Sequence, residues 1–296
     1  MSFVLRVVRQ KVLASAVARP QYVPTMATPP STKADTVPAS AMGTTSHLGP
    51  MARTIADVAL MMTVVGQADD RDWYMGAPIS RDWRLGLDQG VRGLRIAYSP
   101  TLGYAEVDDQ VAARVREAAR NLEQLGAEVE EIHPGFESPI DIFQKLWFTA
   151  SLDFWSKCSD RQREQLDPGL VANARTAQQW SALDLFQALG RRANFTEGLE
   201  RFNQDYHLLM TPTVPIEPFE AGHEVPPGSG MRDWEEWAPF SYPFNLSQQP
   251  AASVPCGFTE SGLPVGFQLA GGKHDDVRVL RACHAYMKAH PPRFPR

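Results

Sequence analysis

The chain has 296 residues, of which 43% are hydrophobic and 21% charged, and its formal net charge is −5. These proportions are typical of a globular protein with one large domain or two ordinary ones. Only three cysteines are present and none forms a C-x-x-C pair, which excludes a small disulfide scaffold and a zinc ribbon. The acidic balance argues against nucleic-acid binding. No window approaches 18 uninterrupted apolar residues, so we expect no membrane span.

The first 42 residues differ from the rest of the chain. They carry five basic residues before the first acid, Asp35, and they contain no glycine. Residues 20–42 are rich in proline, serine and threonine without a helix or strand period, which predicts disorder. Residues 2–19 are basic, acid-free and partly amphipathic, as in an organelle transit peptide. We expect a cytoplasmic protein, with an organellar location as the alternative if residues 1–19 are such a peptide.

The first periodic segment follows Gly43. Thr54 and Asp57 form a capping-box pattern, after which apolar residues recur at helical spacing as far as Gly66. This pattern predicts an amphipathic helix over about residues 55–65.

A strand, a helix and a second strand are predicted next. Residues 93–98 form an apolar run, Asp108 begins a long amphipathic segment that ends near Gly126, and residues 127–132 form the second run. This order predicts a βαβ unit with parallel strands. The carboxyl edge of such strands is where open α/β folds usually bind ligands.

Residues 137–203 are mostly helical by composition and concentrate aromatic side chains. Helix packing is the favoured interpretation of these aromatics. The sharper interpretation is an apolar substrate pocket, because ligand pockets are lined by aromatic residues and a few polar groups. Its candidate residues are Trp147, Phe148 and Trp155. The sequence Asp167-Pro168-Gly169 predicts a turn.

Residues 204–296 predict strands at 206–210, 253–254 and 265–269, followed by a helix over 277–288. Asp275 and Asp276 lie where that helix begins, and acids there stabilise the helix dipole. With His274 they form the best cluster of metal-ligating side chains, which we interpret as a helix cap rather than a metal site.

The residues alone identify no active site. The seven histidines show no HExxH motif and no paired spacing within a helix, so we predict no metal. No Walker loop, G-x-G-x-x-G fingerprint or G-x-S-x-G elbow occurs, and we predict no cofactor. Cys256 and Cys283 occupy positions typical of small core residues. The prediction at this point is an α/β protein without an assigned site.

Three motifs resemble the amidase signature family. Residues 43–62 contain Gly-Pro-Met-Ala-Arg-Thr, and residues 208–213 read Leu-Leu-Met-Thr-Pro-Thr. Residues 243–257 read Pro-Phe-Asn-Leu-Ser-Gln-Gln-Pro-Ala-Ala-Ser-Val-Pro-Cys-Gly, and Gly-Leu-Pro-Val-Gly-Phe-Gln follows at 262–268. The resemblance covers about residues 38–290. It implies an α/β/α sandwich around a mixed sheet, and hydrolysis of carbon–nitrogen bonds in amides.

The resemblance carries no catalytic residue onto this chain. Members of the family use a serine nucleophile, a second serine in a cis peptide and a lysine, all upstream of the Gly-Pro-Met-Ala-Arg motif. The 42 residues before Gly43 offer no serine or lysine in a matching context, and they lack the glycine on which a backbone oxyanion hole usually relies. We therefore expect residues 43–296 to be the C-terminal part of an amidase signature domain, incomplete because its N-terminal part is missing, after a disordered or non-family segment over residues 1–42.

Two functional expectations follow. The first is a truncated and catalytically incompetent amidase, a pseudoenzyme that binds a small-molecule amide if its pocket survives. The alternative is a non-enzymatic ligand- or partner-binding module that retains the amidase scaffold. In either case a protein partner or a homo-oligomer could cover exposed sheet edges. No nucleic acid, metal or cofactor is implied.

Overall fold

The structure is a computed structural model that describes residues 42–47, 49–67 and 81–293. The transit-peptide and disorder predictions for residues 1–41 lie outside these residues. None of the described helices is long and apolar enough to cross a membrane.

The described elements alternate between helices and short strands. In chain order they are α1 (Ile55–Val65), β1 (Arg95–Tyr98), α2 (Asp109–Gln124), β2 (Glu128–Glu131), α3 (Ile140–Ser156), α4 (Asp160–Arg163), α5 (Pro168–Ala177), α6 (Ala182–Asp205), β3 (Leu208–Pro212), α7 (Tyr242–Ser247), β4 (Ala251–Phe258), β5 (Pro264–Gly271) and α8 (Asp276–Ala289). Short 3₁₀ helices cover Gly43–Thr45, Leu87–Gln89 and Trp234–Trp237.

The strands form one mixed sheet in the order β2-β1-β3-β5-β4. β1 runs parallel to β2, with Arg95 opposite Glu128, and parallel to β3, with Ile96 opposite Leu208. β5 runs antiparallel to both β3 and β4. The predicted βαβ unit is therefore confirmed as β1-α2-β2, and the mixed sheet implied by the family resemblance is present.

The larger core lies on one face of the sheet. Alternate strand residues such as Ile96, Met210 and Phe267 point to this face and are fully buried. Helices α1, α2 and α8 cover them with Met62, Val115, Leu122, Val279 and Leu280. The helices contact this face through apolar residues spaced three or four apart, which is the periodicity that the sequence shows.

The opposite face carries smaller residues and is covered by α6 and by the segment around α7. Ala97, Leu209 and Ala270 contribute from the strands, and Leu199, Phe240 and Phe244 pack on them. Helices therefore lie on both faces of the sheet, as in an α/β/α sandwich.

Helix starts follow the predicted caps in most places. The Thr54 hydroxyl accepts a hydrogen bond from the Asp57 N–H at 3.1 Å, and Asp108 caps α2 in the same way. Gly126 follows the end of α2 with a φ of +98°, a conformation that glycine adopts readily. Asp275 does stand at the start of α8, but its carboxylate makes no cap bond and pairs with Arg278 instead.

The predicted turn at Asp167 was wrong. Asp167 is the N-cap of α5, and its carboxylate accepts hydrogen bonds from the N–H groups of Gly169 and Leu170 at 2.9 and 3.3 Å. Pro168 occupies the first helical position, where a missing N–H costs no intrahelical bond. The Asp-Pro-Gly sequence thus begins a helix.

Gln248 supplies a test of backbone strain. It follows α7 with φ 58° and ψ 28°, a left-handed conformation that is unfavourable for residues with a Cβ. We expect Gln248→Gly to stabilise the fold by about 0.5–1 kcal/mol, measured by urea denaturation. The control is Gln178→Gly after α5, where φ is −59°. There the same change should destabilise by a similar amount, and a loss of stability in both variants would contradict the strain argument.

Candidate functional site

The carboxyl edge of the parallel strands brings two loop ends together. Ser99 follows β1 and His133 follows β2, and Ser99 Oγ lies 2.8 Å from His133 Nδ1. A serine beside a histidine is a pattern found in hydrolases. Ser99, however, is fully buried (0% exposed), so a substrate carbonyl cannot reach its hydroxyl. The pair joins the two loops and does not form an open nucleophile.

Polar side chains continue along this edge on β3, β4 and β5. Gln268 Nε2 donates to Thr211 Oγ1 at 2.9 Å and to the Phe240 carbonyl at 2.6 Å. The Thr213 and Ser253 hydroxyls lie 2.7 Å apart. These bonds satisfy buried polar groups, and they hold the segment before α7 against the sheet.

An aromatic cluster lies beyond this edge. It comprises Phe143, Trp147, Trp234, Trp237 and Tyr242. Phe143 occupies its centre, with ring centroids 5.2 Å from Trp147, 5.6 Å from Tyr242 and 5.9 Å from Trp234. Trp147 is the member from α3 that stays partly exposed. An apolar wall with an accessible indole is suited to binding an aryl or acyl group.

Polar groups border the aromatic cluster. The Tyr242 hydroxyl lies 3.0 Å from Ser138 Oγ, and Tyr104 donates to the Pro239 carbonyl at 2.9 Å. Glu235 is fully buried nearby. Burial, with a smaller contribution from the charge of Glu235, raises the pKa of Tyr242. Burial also raises the pKa of Tyr104, so both tyrosines stay neutral at ordinary pH.

The three predicted pocket residues lie in different surroundings. Trp147 belongs to the aromatic cluster. Phe148 is buried on another side of α3 and stacks on Trp180, with centroids 5.9 Å apart. Trp155 lies two turns further along, under the Arg163 guanidinium at 4.1 Å. The helix turns about 100° per residue, which separates these side chains.

A largely buried arginine assembles two distant segments. Arg192 of α6 donates to the Thr44 hydroxyl and carbonyl, each at 2.8 Å, and to the Leu246 carbonyl at 2.7 Å. Asn245 adds a bond from its amide to the Thr45 carbonyl at 3.0 Å. Burial lowers the pKa of Arg192 to about 10, so the group remains charged. We call these residues the arginine clamp. Sequence reasoning does not find the clamp, because nothing local distinguishes Arg192 from the neighbouring Arg191.

The arginine clamp also affects His47. The Nε2 of this histidine is buried and accepts no hydrogen bond from the described residues. Burial, together with the charge of Arg192, lowers the pKa of His47 to about 4. The histidine is therefore neutral in the folded chain at physiological pH.

Other potential nucleophiles are unactivated in the part of the chain that the structure describes. Its four lysines are Lys145, Lys157, Lys273 and Lys288, and no hydrogen bond joins their ammonium groups to a serine. Burial raises the pKa of both Cys256 and Cys283 to about 12, which keeps them as thiols. Among residues 42–47, 49–67 and 81–293, no group of three acidic, histidine or cysteine side chains could hold a metal.

Comparison with known proteins then decides the family. The Amidase family model matches residues 33–280. The chain belongs to the Amidase family.

Curated relatives agree with this assignment. The chain is 30% identical over 256 residues to the acylamidase of Rhodococcus erythropolis, covering 83% of this chain and 53% of that protein. It is 29% identical over 270 residues to a glutamyl-tRNA(Gln) amidotransferase chain, the A component of that enzyme in Myxococcus xanthus, covering 82% and 54%. The chain thus spans about half the length of the curated relatives it matches.

Solved structures share the fold. A bacterial aryl acylamidase of the amidase signature family superposes with a TM-score of 0.75 at 24% identity, covering 83% of this chain and 53% of that one. The 6-aminohexanoate cyclic dimer hydrolase superposes with a TM-score of 0.72 at 22% identity, covering 81% and 54%. These similarities confirm the α/β fold class expected from the motifs.

The arginine clamp generates a stability prediction. Arg192→Met leaves the Thr44 and Leu246 carbonyls without their donor, so we expect a loss of about 3 kcal/mol of unfolding free energy, measured in urea. Arg191→Met is the matched control because Arg191 forms only an exposed pair with Asp141. It should cost no more than about 1 kcal/mol. Equal effects at the two positions would refute the clamp.

The pKa of His47 predicts a pH dependence. Its folded value, about 4, lies below the ordinary 6.5, so between these values the unfolded chain binds more protons and stability rises with pH. We expect a contribution of up to about 3 kcal/mol that is complete above pH 6.5 and lost as the pH falls towards 4. His47→Gln should flatten this part of the stability profile, whereas His223→Gln, at an exposed position, should not.

Proposed function

We propose that this chain is the scaffold and substrate-pocket part of an amide hydrolase, and that residues 42–293 do not hydrolyse amides by themselves. Amide hydrolysis adds water across the carbon–nitrogen bond and releases a carboxylic acid and an amine. The reaction needs an activated nucleophile and donors for the developing oxyanion. Family membership over residues 33–280 supports the reaction class.

One observation carries the second half of the proposal. Among the described residues, the serine placed next to a base is Ser99, and its hydroxyl is inaccessible behind the loops that it joins. The described lysines stay away from serine hydroxyls, on ion pairs, an aromatic ring or the surface. The chain is, on this proposal, a truncated and catalytically incompetent form of the family.

The aromatic cluster is the proposed pocket. Trp147 presents an indole at the surface of the cluster, and Tyr104 and Tyr242 provide neutral hydroxyls at its border. An N-acyl aromatic amide suits this combination, because its ring would stack and its polar group would meet the hydroxyls. The names of two matched proteins, an acylamidase and an aryl acylamidase, support this substrate class. Ligand-binding roles for Phe148 and Trp155 stay predictions.

A non-enzymatic binding module is the second candidate. It is favoured by large apolar side chains that remain exposed on two helices, including Leu60 and Val64 on α1 and Phe186 on α6. Exposed apolar patches mark interaction surfaces. This candidate retains the aromatic cluster as a ligand site without hydrolysis.

Hydrolysis is tested directly with the full chain. We expect no release of aniline or ammonia from aryl and aliphatic amides above the rate in buffer, followed by absorbance and by an ammonia assay. Adding the portion of the Rhodococcus acylamidase that this chain does not match should restore turnover if the pocket is functional. Turnover by the chain alone would overturn the proposed incompetence, and Ser99→Ala would then show whether Ser99 is the nucleophile.

Binding is tested separately with acetanilide as the probe. We expect saturable quenching of tryptophan fluorescence, and a loss of at least about tenfold in affinity in Trp147→Ala. Trp155→Ala is the control, because Trp155 lies outside the aromatic cluster. Equal affinity in the wild type and Trp147→Ala would remove the cluster as the ligand site.

A further inference from the structure

The outward face of α6 carries side chains that the fold does not explain. Phe186 is 74% exposed, Leu183 is 63% exposed and Leu189 is 45% exposed. A phenylalanine that far from the core is unusual, and here it stands beside two leucines on neighbouring turns.

The inward side of α6 is satisfied without these residues. Ala188 and Leu199 are buried against the rest of the domain, and Arg192 forms the clamp from the same side. Helical spacing then directs Leu183, Phe186 and Gly190 to the opposite side, away from the sheet. The exposed residues therefore face outward as a consequence of how α6 is anchored.

Large and small residues alternate on this face. Leu183 and Phe186 are followed, at intervals of three and four residues, by Gly190 and Ala193. A Cβ added at Gly190 would meet no atom within 4 Å, so this position is an open depression in the helix surface. Ala193 is exposed and almost as small.

We propose that this α6 face is the interface of a twofold homodimer in which the two copies of the helix pack antiparallel. In that arrangement Phe186 of one copy lies on Gly190 of the second, and Leu183 lies on Ala193. Each large residue meets a small one twice, because the twofold axis repeats every contact. The axis passes beside Gln187.

The charges along α6 favour the antiparallel arrangement. On the flank nearest the domain, Asp184 precedes Arg191 by two turns. Antiparallel packing brings the acid of one copy towards the base of the other at both ends. Parallel packing would instead align acid with acid. The intervening Gln187 and the later Asn194 are uncharged, so the centre of the interface buries no formal charge.

The exposed face of α1 is a weaker candidate for self-association. Leu60, Met61, Val64 and Val65 are exposed there, but all four are large. A copy of that face offers no depression for them to enter. This makes α1 the natural control surface.

The size of the face indicates weak association. Two helices in contact over three or four turns bury less than the roughly 1,200–2,000 Å² of a standard interface. We therefore expect a dissociation constant on the order of micromolar.

Sedimentation of the full chain over a range of about 1 to 100 µM tests the proposal, since a micromolar dimer dissociates within that range. We expect a concentration-dependent dimer, with Phe186→Asp raising the dissociation constant at least about tenfold. Leu60→Asp on α1 should leave the constant unchanged. Circular dichroism checks that both variants stay folded. A monomer at every concentration, or equal effects of the two variants, would overturn the proposal.

Cross-linking tests the geometry independently. In a Cys158→Ser background, Gln187→Cys should form a covalent dimer with a short bis-maleimide, because the twofold axis passes beside it. Arg201→Cys should not, since at 1.5 Å per residue the two copies of that position lie roughly 40 Å apart. Cross-linking at position 201 in preference to 187 would exclude the antiparallel packing.

Discussion

Every residue of β3 is buried, because this strand lies in the middle of the sheet with helices on both faces. A polar side chain in such a strand must find a partner inside the protein. Thr211 finds one in Gln268, whose amide also binds the Phe240 carbonyl. The strand is also the place where the sheet changes from parallel to antiparallel. Its position therefore sets the edge at which the loops after β1 and β2 meet, and the chain leaving β3 runs on to the aromatic cluster.

The arginine clamp links parts of the chain that carry the family resemblance. Residues 43–47 and 243–249 belong to different motifs, yet the Asn245 amide reaches the Thr45 carbonyl across 200 positions of sequence. Arg192, which belongs to neither motif, supplies most of the bonds. A buried guanidinium that donates to carbonyls holds its partners in one geometry, because the planar group fixes the direction of each bond. The motifs thus depend on a residue between them for their relative position.

The elements that could be predicted are those whose signal is local. The βαβ unit follows from periodicity and from the cap at Asp108, and α1 follows in the same way from Thr54, since a cap depends on neighbours within four residues. The turn assigned to Asp167 failed because Pro-Gly suits a turn and the first positions of a helix equally, and tertiary packing decides between them.

The site was less accessible to such arguments, because its contacts are long-range. Phe143 and Trp147 meet Trp234 from nearly 90 positions further along the chain. Ser99 and His133 come together only once two strand ends share an edge. Trp147 could be nominated from its aromatic-rich segment, but nothing in the sequence identifies Trp234, Trp237 and Tyr242 as its neighbours. The same holds for Arg192, whose burial depends on the docking of α7.

The two outer strands of the described sheet differ in how they resist pairing. β2 reads Glu-Val-Glu-Glu with exposed carboxylates, which repel an added strand of similar charge. β4 has no charged residue, and it is interrupted in its second half by Pro255 and by the bulge before Gly257. The unprotected stretch is thus the first half of β4. Helix α6 covers a face of the sheet, and its exposed side chains point away from that face. A second copy bound on α6 therefore leaves the β4 edge open, so self-association through the helix and strand pairing at the edge are physically independent.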